Sequence, residues 1–147
     1  MRFFFFFTFT LLLQVSFLTA LFSPGFLSPD LPLVLLLTKA YMRGRETVLW
    51  AVFGGAFMDI LTDTLGLNLT LYTLSVYLFV LVCEKFISRD VITFTVFASG
   101  VVLLKRLIAL LMMGSKYSFE VSLWVFFFSW SFEAFTLFIL YFLYMRR

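Results

Sequence analysis

Four ionisable residues interrupt long apolar runs of the chain: Asp59, Lys105, Arg106 and Glu133. Near the centre of a bilayer Asp, Lys or Arg costs at least about 2.5–3.5 kcal/mol. Side chains that expensive call for partners. Two acids and two bases could form ion pairs that clamp helices together, or could line a proton or ion path. Alternatively, Lys105 and Arg106 could end a short helix by reaching out to the membrane surface. Helical spacing favours burial. Ala51, Gly55 and Asp59 recur every fourth residue, so the acid shares a face with small residues. Ala98, Ser99, Lys105, Arg106 and Ala109 occupy one sector of their segment, and Ser122, Ser129, Glu133 and Thr136 form one stripe. Small and polar residues mark close helix contacts in membranes. We expect a network in which Lys105 or Arg106 meets Asp59, Glu133 or both.

Other chemistry finds no residues to carry it. The chain has no histidine and a single cysteine, Cys83, which removes imidazole catalysis, zinc sites of the His/Cys type and internal disulfides. Asp59 and Asp63 lie one helical turn apart on one segment and do not make a glycoside-cleaving pair. Gly54, Gly55 and Gly66 lack the Gly-Lys-Ser/Thr ending of a phosphate loop. We therefore expect no catalytic, metal or cofactor residues, and a protein that is not an enzyme. The net charge of +3, scattered along the chain, gives no footprint for nucleic acid.

Hydrophobic residues make up 63% of the 147, and charged residues 13%, about half the usual share. A soluble domain could not clothe itself from that composition. The expected class is an all-α integral membrane protein, one domain over residues 1–147 with six transmembrane helices. The spans fall at about 3–22, 31–42, 47–62, 69–83, 91–113 and 121–144. The first resembles a signal peptide behind Arg2, but its length, and the next apolar run close behind it, favour an uncleaved span. Asp30 occupies an N-cap position with Pro32 in the first turn of the second span. That span holds only twelve residues, about 18 Å against a core of roughly 30 Å. It must thin the bilayer, begin below the outer surface, or use Lys39 as a snorkelling end. A cytoplasmic N-terminus puts Arg2, Lys39, Arg43, Arg45, Lys85, Arg89, Arg146 and Arg147 inside and Lys116 alone outside, so both termini are expected in the cytoplasm.

Pro29-Asp30-Leu31, the basic loop Arg43-Gly44-Arg45, Gly54-Gly55-Ala56-Phe57-Met58-Asp59 and Leu65-Gly66-Leu67 together resemble MreD, the bacterial rod-shape-determining membrane protein family. The specific part covers Pro29 to Leu71. Glu133, the Lys105-Arg106 pair and the short chain depart from that pattern. The resemblance implies a six-helix fold similar to the substrate-binding subunits of energy-coupling-factor transporters. It also implies a non-enzymatic scaffold of the cell-wall elongation complex in the bacterial inner membrane. Its partners would be the single-span MreC and, through it, MreB, RodA and RodA's transpeptidase, with homo-oligomers possible inside the complex. Pro29, Asp30, Ala51, Gly54, Gly55 and Asp59 would be the structural or partner-facing residues, beside Lys105, Arg106 and Glu133. A partner helix could enter a depression walled by the Ser23–Asp30 turn and the Asp63–Asn68 loop. The competing expectation is a vitamin-type binding subunit of a transporter, with Asn68, Tyr72 and Ser75 on one helix face and Trp124 and Trp130 on another. Trp and Tyr near span ends also serve as interfacial anchors.

Overall fold

In the computed structural model the described residues are 2–18, 28–64, 66–86, 90–114 and 123–145, and among them there is no strand. The turn residues 23–27, Leu65, Arg89, Lys116, Ser122, Arg146 and Arg147, and the expected end of the first span near Phe22, lie outside the described set. Six helices follow in order. They are α1 (Arg2–Leu13), α2 (Leu31–Arg43), α3 (Glu46–Thr62), α4 (Leu67–Phe86), α5 (Val91–Gly114) and α6 (Leu123–Met145). Helix α1 continues into a wider π-helical turn over Gln14–Leu18.

Length and apolarity suffice to cross a membrane in three places, Leu67–Lys85, Val91–Met112 and Leu123–Leu143. The expected six helices are present, and three of them meet that measure among the described residues. The first apolar helix is only Phe3–Leu18, and α2 and α3 are 13 and 17 residues long. At 1.5 Å per residue, α2 covers about 20 Å. Helix α5 keeps its expected length and removes one alternative. It runs unbroken through Lys105 and Arg106 to Gly114, so that pair does not end a short segment.

The short helix is the centre of the molecule. Helix α2 packs against α1, α3, α4, α5 and α6. Its Leu33, Val34, Leu36 and Leu37 have no exposed surface. A helix apolar on every side is stable only when covered on every side, and here the other five supply the cover. Their own outward faces carry large apolar side chains, among them Phe5, Phe53, Ile60, Ile92, Leu111 and Trp124. Gln14, Asp30, Arg106, Ser129 and Glu133 are instead buried. Polar inside and apolar outside is the arrangement that hydrocarbon solvation demands.

Helices α2 and α3 are joined at Gly44, whose φ of 59° is in the left-handed region where glycine is free of strain. Its N–H closes on Ala40 O at 2.8 Å. Across the next junction α3 and α4 form the most extensive helix pair. A Cβ on Gly55 would lie 2.6 Å from Leu69 Cα and 2.8 Å from Asn68 O, so the α4 backbone occupies the space a side chain would need. Gly54 admits the ring of Phe7 in the same way, with Cζ at 2.6 Å from a would-be Cβ. Ala51 is fully buried on the same α3 face. Away from these contacts Tyr41, Phe79, Phe94 and Tyr141 meet tilted or edge-on with centroids 4.9 to 6.0 Å apart. Lys39 lies over two rings. Its Nζ is 3.6 Å from the Phe3 centroid and 3.8 Å from that of Trp50, a cation–π contact.

Candidate functional site

Every α-helix begins with backbone N–H groups that have no partner within the helix. At a water-facing end these cost little. Helix α2 begins inside the bundle, where each unmet group costs several kcal/mol. Its first turn is satisfied by two side chains drawn from elsewhere in the bundle and by its own cap residue. Asp30 N–H donates to Glu133 Oε1 at 2.5 Å, and Leu31 N–H donates to Gln14 Oε1 at 3.3 Å. Residue 32 is proline and has no N–H. Leu33 N–H donates to Asp30 Oδ1 at 3.2 Å, the N-cap bond expected of Asp30. Val34 N–H then begins the regular ladder by donating to Asp30 O at 3.1 Å. No N–H from Asp30 to Val34 is left unpaired.

Two carboxylates at one helix start suit the positive end of its dipole, but they also need counter-charge in a low-dielectric setting. Helix α5 provides it with consecutive residues. Lys105 Nζ pairs with Asp30 Oδ2. Arg106 Nη2 lies 2.8 Å from Glu133 Oε1, 2.6 Å from Ser129 Oγ and 3.1 Å from the carbonyl of Ser28. Tyr72 from α4 donates its hydroxyl to Asp30 Oδ1 at 2.5 Å, and its ring lies 4.6 Å from Lys105 Nζ. Gln14 completes the set by donating Nε2–H to Ser28 Oγ at 2.7 Å. Pro29 is buried between Ser28 and Asp30 and belongs to the same turn. Helices α1, α2, α4, α5 and α6 thus meet at one polar knot.

Of the expected pairings, Arg106 with Glu133 is present. Asp59 with either base is not. Asp59 Oδ1 accepts from Thr64 Oγ1 at 2.5 Å and from Asn68 N–H at 2.8 Å, while Oδ2 accepts from Leu69 N–H at 2.8 Å. The reason is proximity along the chain. Asp59 lies one turn before the end of α3, and the glycine contact at position 55 brings the start of α4 against it. Asp59 therefore caps the next helix from outside it, and Asn68 Nδ2 ties the turn to Thr64 Oγ1 at 2.8 Å. Lys105 pairs with Asp30 instead. Sequence reasoning placed Asp30 at a helix cap but not in the charge network, and did not single out Gln14 or Ser28. A polar amide in an otherwise apolar helix was the signal for Gln14.

Beside the knot lies a cavity of about 510 Å³. Ser28 and Asp30 form part of its wall, Thr62, Thr64 and Asn68 another, and Lys105 and Glu133 face it from α5 and α6. The Glu133 side chain has no exposed surface, and among the described residues its Oε2 has no hydrogen-bond partner. A second, apolar groove of similar volume follows α1 and α3 past Phe4, Phe7, Trp50, Phe53 and Phe57. Among the described residues no three His, Cys, Asp or Glu side chains gather as a metal site would require. No family model, no curated protein and no solved structure matches the chain.

Proposed function

We propose that this chain is a non-enzymatic scaffold of the bacterial cell-wall elongation complex, acting as MreD-like proteins do by holding the single-span partner MreC. The observation that carries this reading is the use to which the motif residues are put. Asp30 anchors the start of α2, and Gly55 and Asp59 seat α3 against α4. Each is occupied in building the helix bundle, and the carboxylates of Asp30 and Asp59 bond the protein's own backbone and side chains. Such a bundle presents helix faces and short turns, the surfaces through which membrane proteins associate side by side. On this reading all six helices lie in the inner membrane, α2 as a half-length span starting at mid-depth, with both termini cytoplasmic. The Arg43–Arg45 loop is then cytoplasmic, where Arg45 bonds Glu84 through both Nε and Nη2 at 2.9 Å.

Extraction in a mild detergent, followed by identification of what accompanies the chain, tests the proposal. A stoichiometric partner with one span and a periplasmic domain is the expected result. Purification alone with a bound vitamin would contradict it and would favour a transporter subunit.

A further inference from the structure

Among the described residues no carboxylate pairs with Lys39. The rings of Phe3 and Trp50 hold its ammonium without neutralising it. One helical turn on, Arg43 shares the same face of α2 and takes Glu46 at 3.8 Å. Lys39, Arg43 and Glu46 line one pocket of about 410 Å³, together with Phe4, Met42 and Trp50. Two cations against one acid leave that pocket with one net positive charge. Lys39 lies only about 6 Å inside the end of α2 at 1.5 Å per residue, so the charge sits close to the end of the bundle.

The pocket adjoins the apolar groove of α1 and α3 across Phe4 and Trp50, which line both. Neither hollow is enclosed. The groove is a furrow in the outer surface, and Phe4, Leu49 and Phe53 on its walls are each more than half exposed. From Leu49 to Phe57 it follows α3 for about 12 Å. That is close to the roughly 15 Å of hydrocarbon in one leaflet. A cationic pocket near the helix ends, opening on a hydrocarbon furrow along the helix sides, has the layout of a phospholipid: an anionic head above a chain. Basic pockets between membrane helices are a recurrent way of holding anionic heads.

We propose that pocket and groove together hold one anionic phospholipid of the phosphatidylglycerol type, its phosphate on Lys39 and Arg43 and an acyl chain along the groove past Phe53. Its single net negative charge answers the single positive charge of the pocket. Phosphatidylcholine carries the same phosphate, but its quaternary ammonium cancels the charge. Glycerol phosphate carries the anion without the chain.

The test uses the full chain purified alone, so its outcome is independent of the scaffold reading. Protein stripped of lipid in mild detergent is offered each lipid with identical acyl chains, and retained lipid is counted by native mass spectrometry. Phosphatidylglycerol should be retained about fivefold more tightly than phosphatidylcholine, the worth of one basic residue at an anionic surface. Lys39→Gln should remove the preference and Lys39→Arg should keep it. Lys85→Gln, at the exposed end of α4, should leave it unchanged. Thr8→Trp fills the groove and should weaken retention of both lipids while preserving the preference between them. Equal retention of the two lipids by the native chain would overturn the assignment, as would equal losses from Lys39→Gln and Lys85→Gln. Glycerol phosphate bound as tightly as phosphatidylglycerol would overturn it in favour of a soluble anion. A chain that retains neither lipid, alone or as a dimer, would leave the groove to another protein or a second copy and overturn it too. Undiminished retention in a folded Thr8→Trp protein would overturn the proposal even if Lys39→Gln failed to fold.

Discussion

Arg106 and Glu133 face each other with almost no access to solvent, so removing one charge strands the other. Breaking such a buried pair costs about 3–5 kcal/mol, whereas replacing both members with apolar residues of similar volume is often close to neutral. Arg106→Met and Glu133→Leu should each destabilise the protein strongly, and the double variant much less than their sum, as read by unfolding in detergent. Additive losses would show that the two do not act as a pair. Asp59 answers to a different logic, because it satisfies N–H groups of the following helix. Asp59→Ala should cost about 1–2 kcal/mol, the worth of a lost helix cap, and Asp59→Asn less, since one oxygen remains to accept. Burial of these charges was legible from their spacing beside small residues, and so was one of the two ion pairs. The choice of partner for Asp59 and Lys105 was not. It depends on the depth at which each helix begins, and a run of sequence carries no coordinate along the membrane normal. Asp30 reaches Lys105 only because α2 starts far down the bundle.

Among the elements, the glycines of α3 and α5 make a controlled contrast. Gly55 has the backbone of Asn68 and Leu69 where a Cβ would go, while Gly100 has nothing within 4 Å. Gly55→Ala forces two helices apart and should cost about 1–3 kcal/mol, typical of overpacking. Gly100→Ala should be neutral or stabilising by up to about 1 kcal/mol, through helix propensity. Thermal unfolding of the two variants in the same detergent checks both, and equal effects would contradict the close α3–α4 approach. Most of the helix plan could be read from the apolar runs and their caps. Helices α3 and α5 begin or end within a residue of the expected bounds, and Asp30 caps α2 as its type and position indicate. Helix α4 extends further at both ends, to Leu67 and Phe86, and at its start Asp59 satisfies N–H groups of the first turn. The shortness of α2 was visible too. Its meaning was not, because full burial on all sides follows only from packing against five other helices.

At the scale of the molecule, the polar residues are turned inward to hold a helix that starts in the interior, and apolar residues face outward. In the proposed topology, with both termini cytoplasmic, Cys83 would lie near the inner end of α4. A membrane-impermeant thiol reagent should leave it unlabelled in intact cells and reach it only after the membrane is opened; efficient labelling of intact cells would invert the topology. The claim on which the rest depends is that α2 begins in the interior with every first-turn N–H satisfied by side chains. Hydrogen exchange of the protein in lipid nanodiscs reads that directly. The amides of Leu31 and Leu33 should exchange as slowly as the middle of α2, and far more slowly than that of exposed Glu46 at the start of α3, where Arg45 provides no side-chain cap. Rapid exchange at Leu31 and Leu33, matching that of Glu46, would mean that α2 opens to water like any surface helix and that the buried knot does not exist.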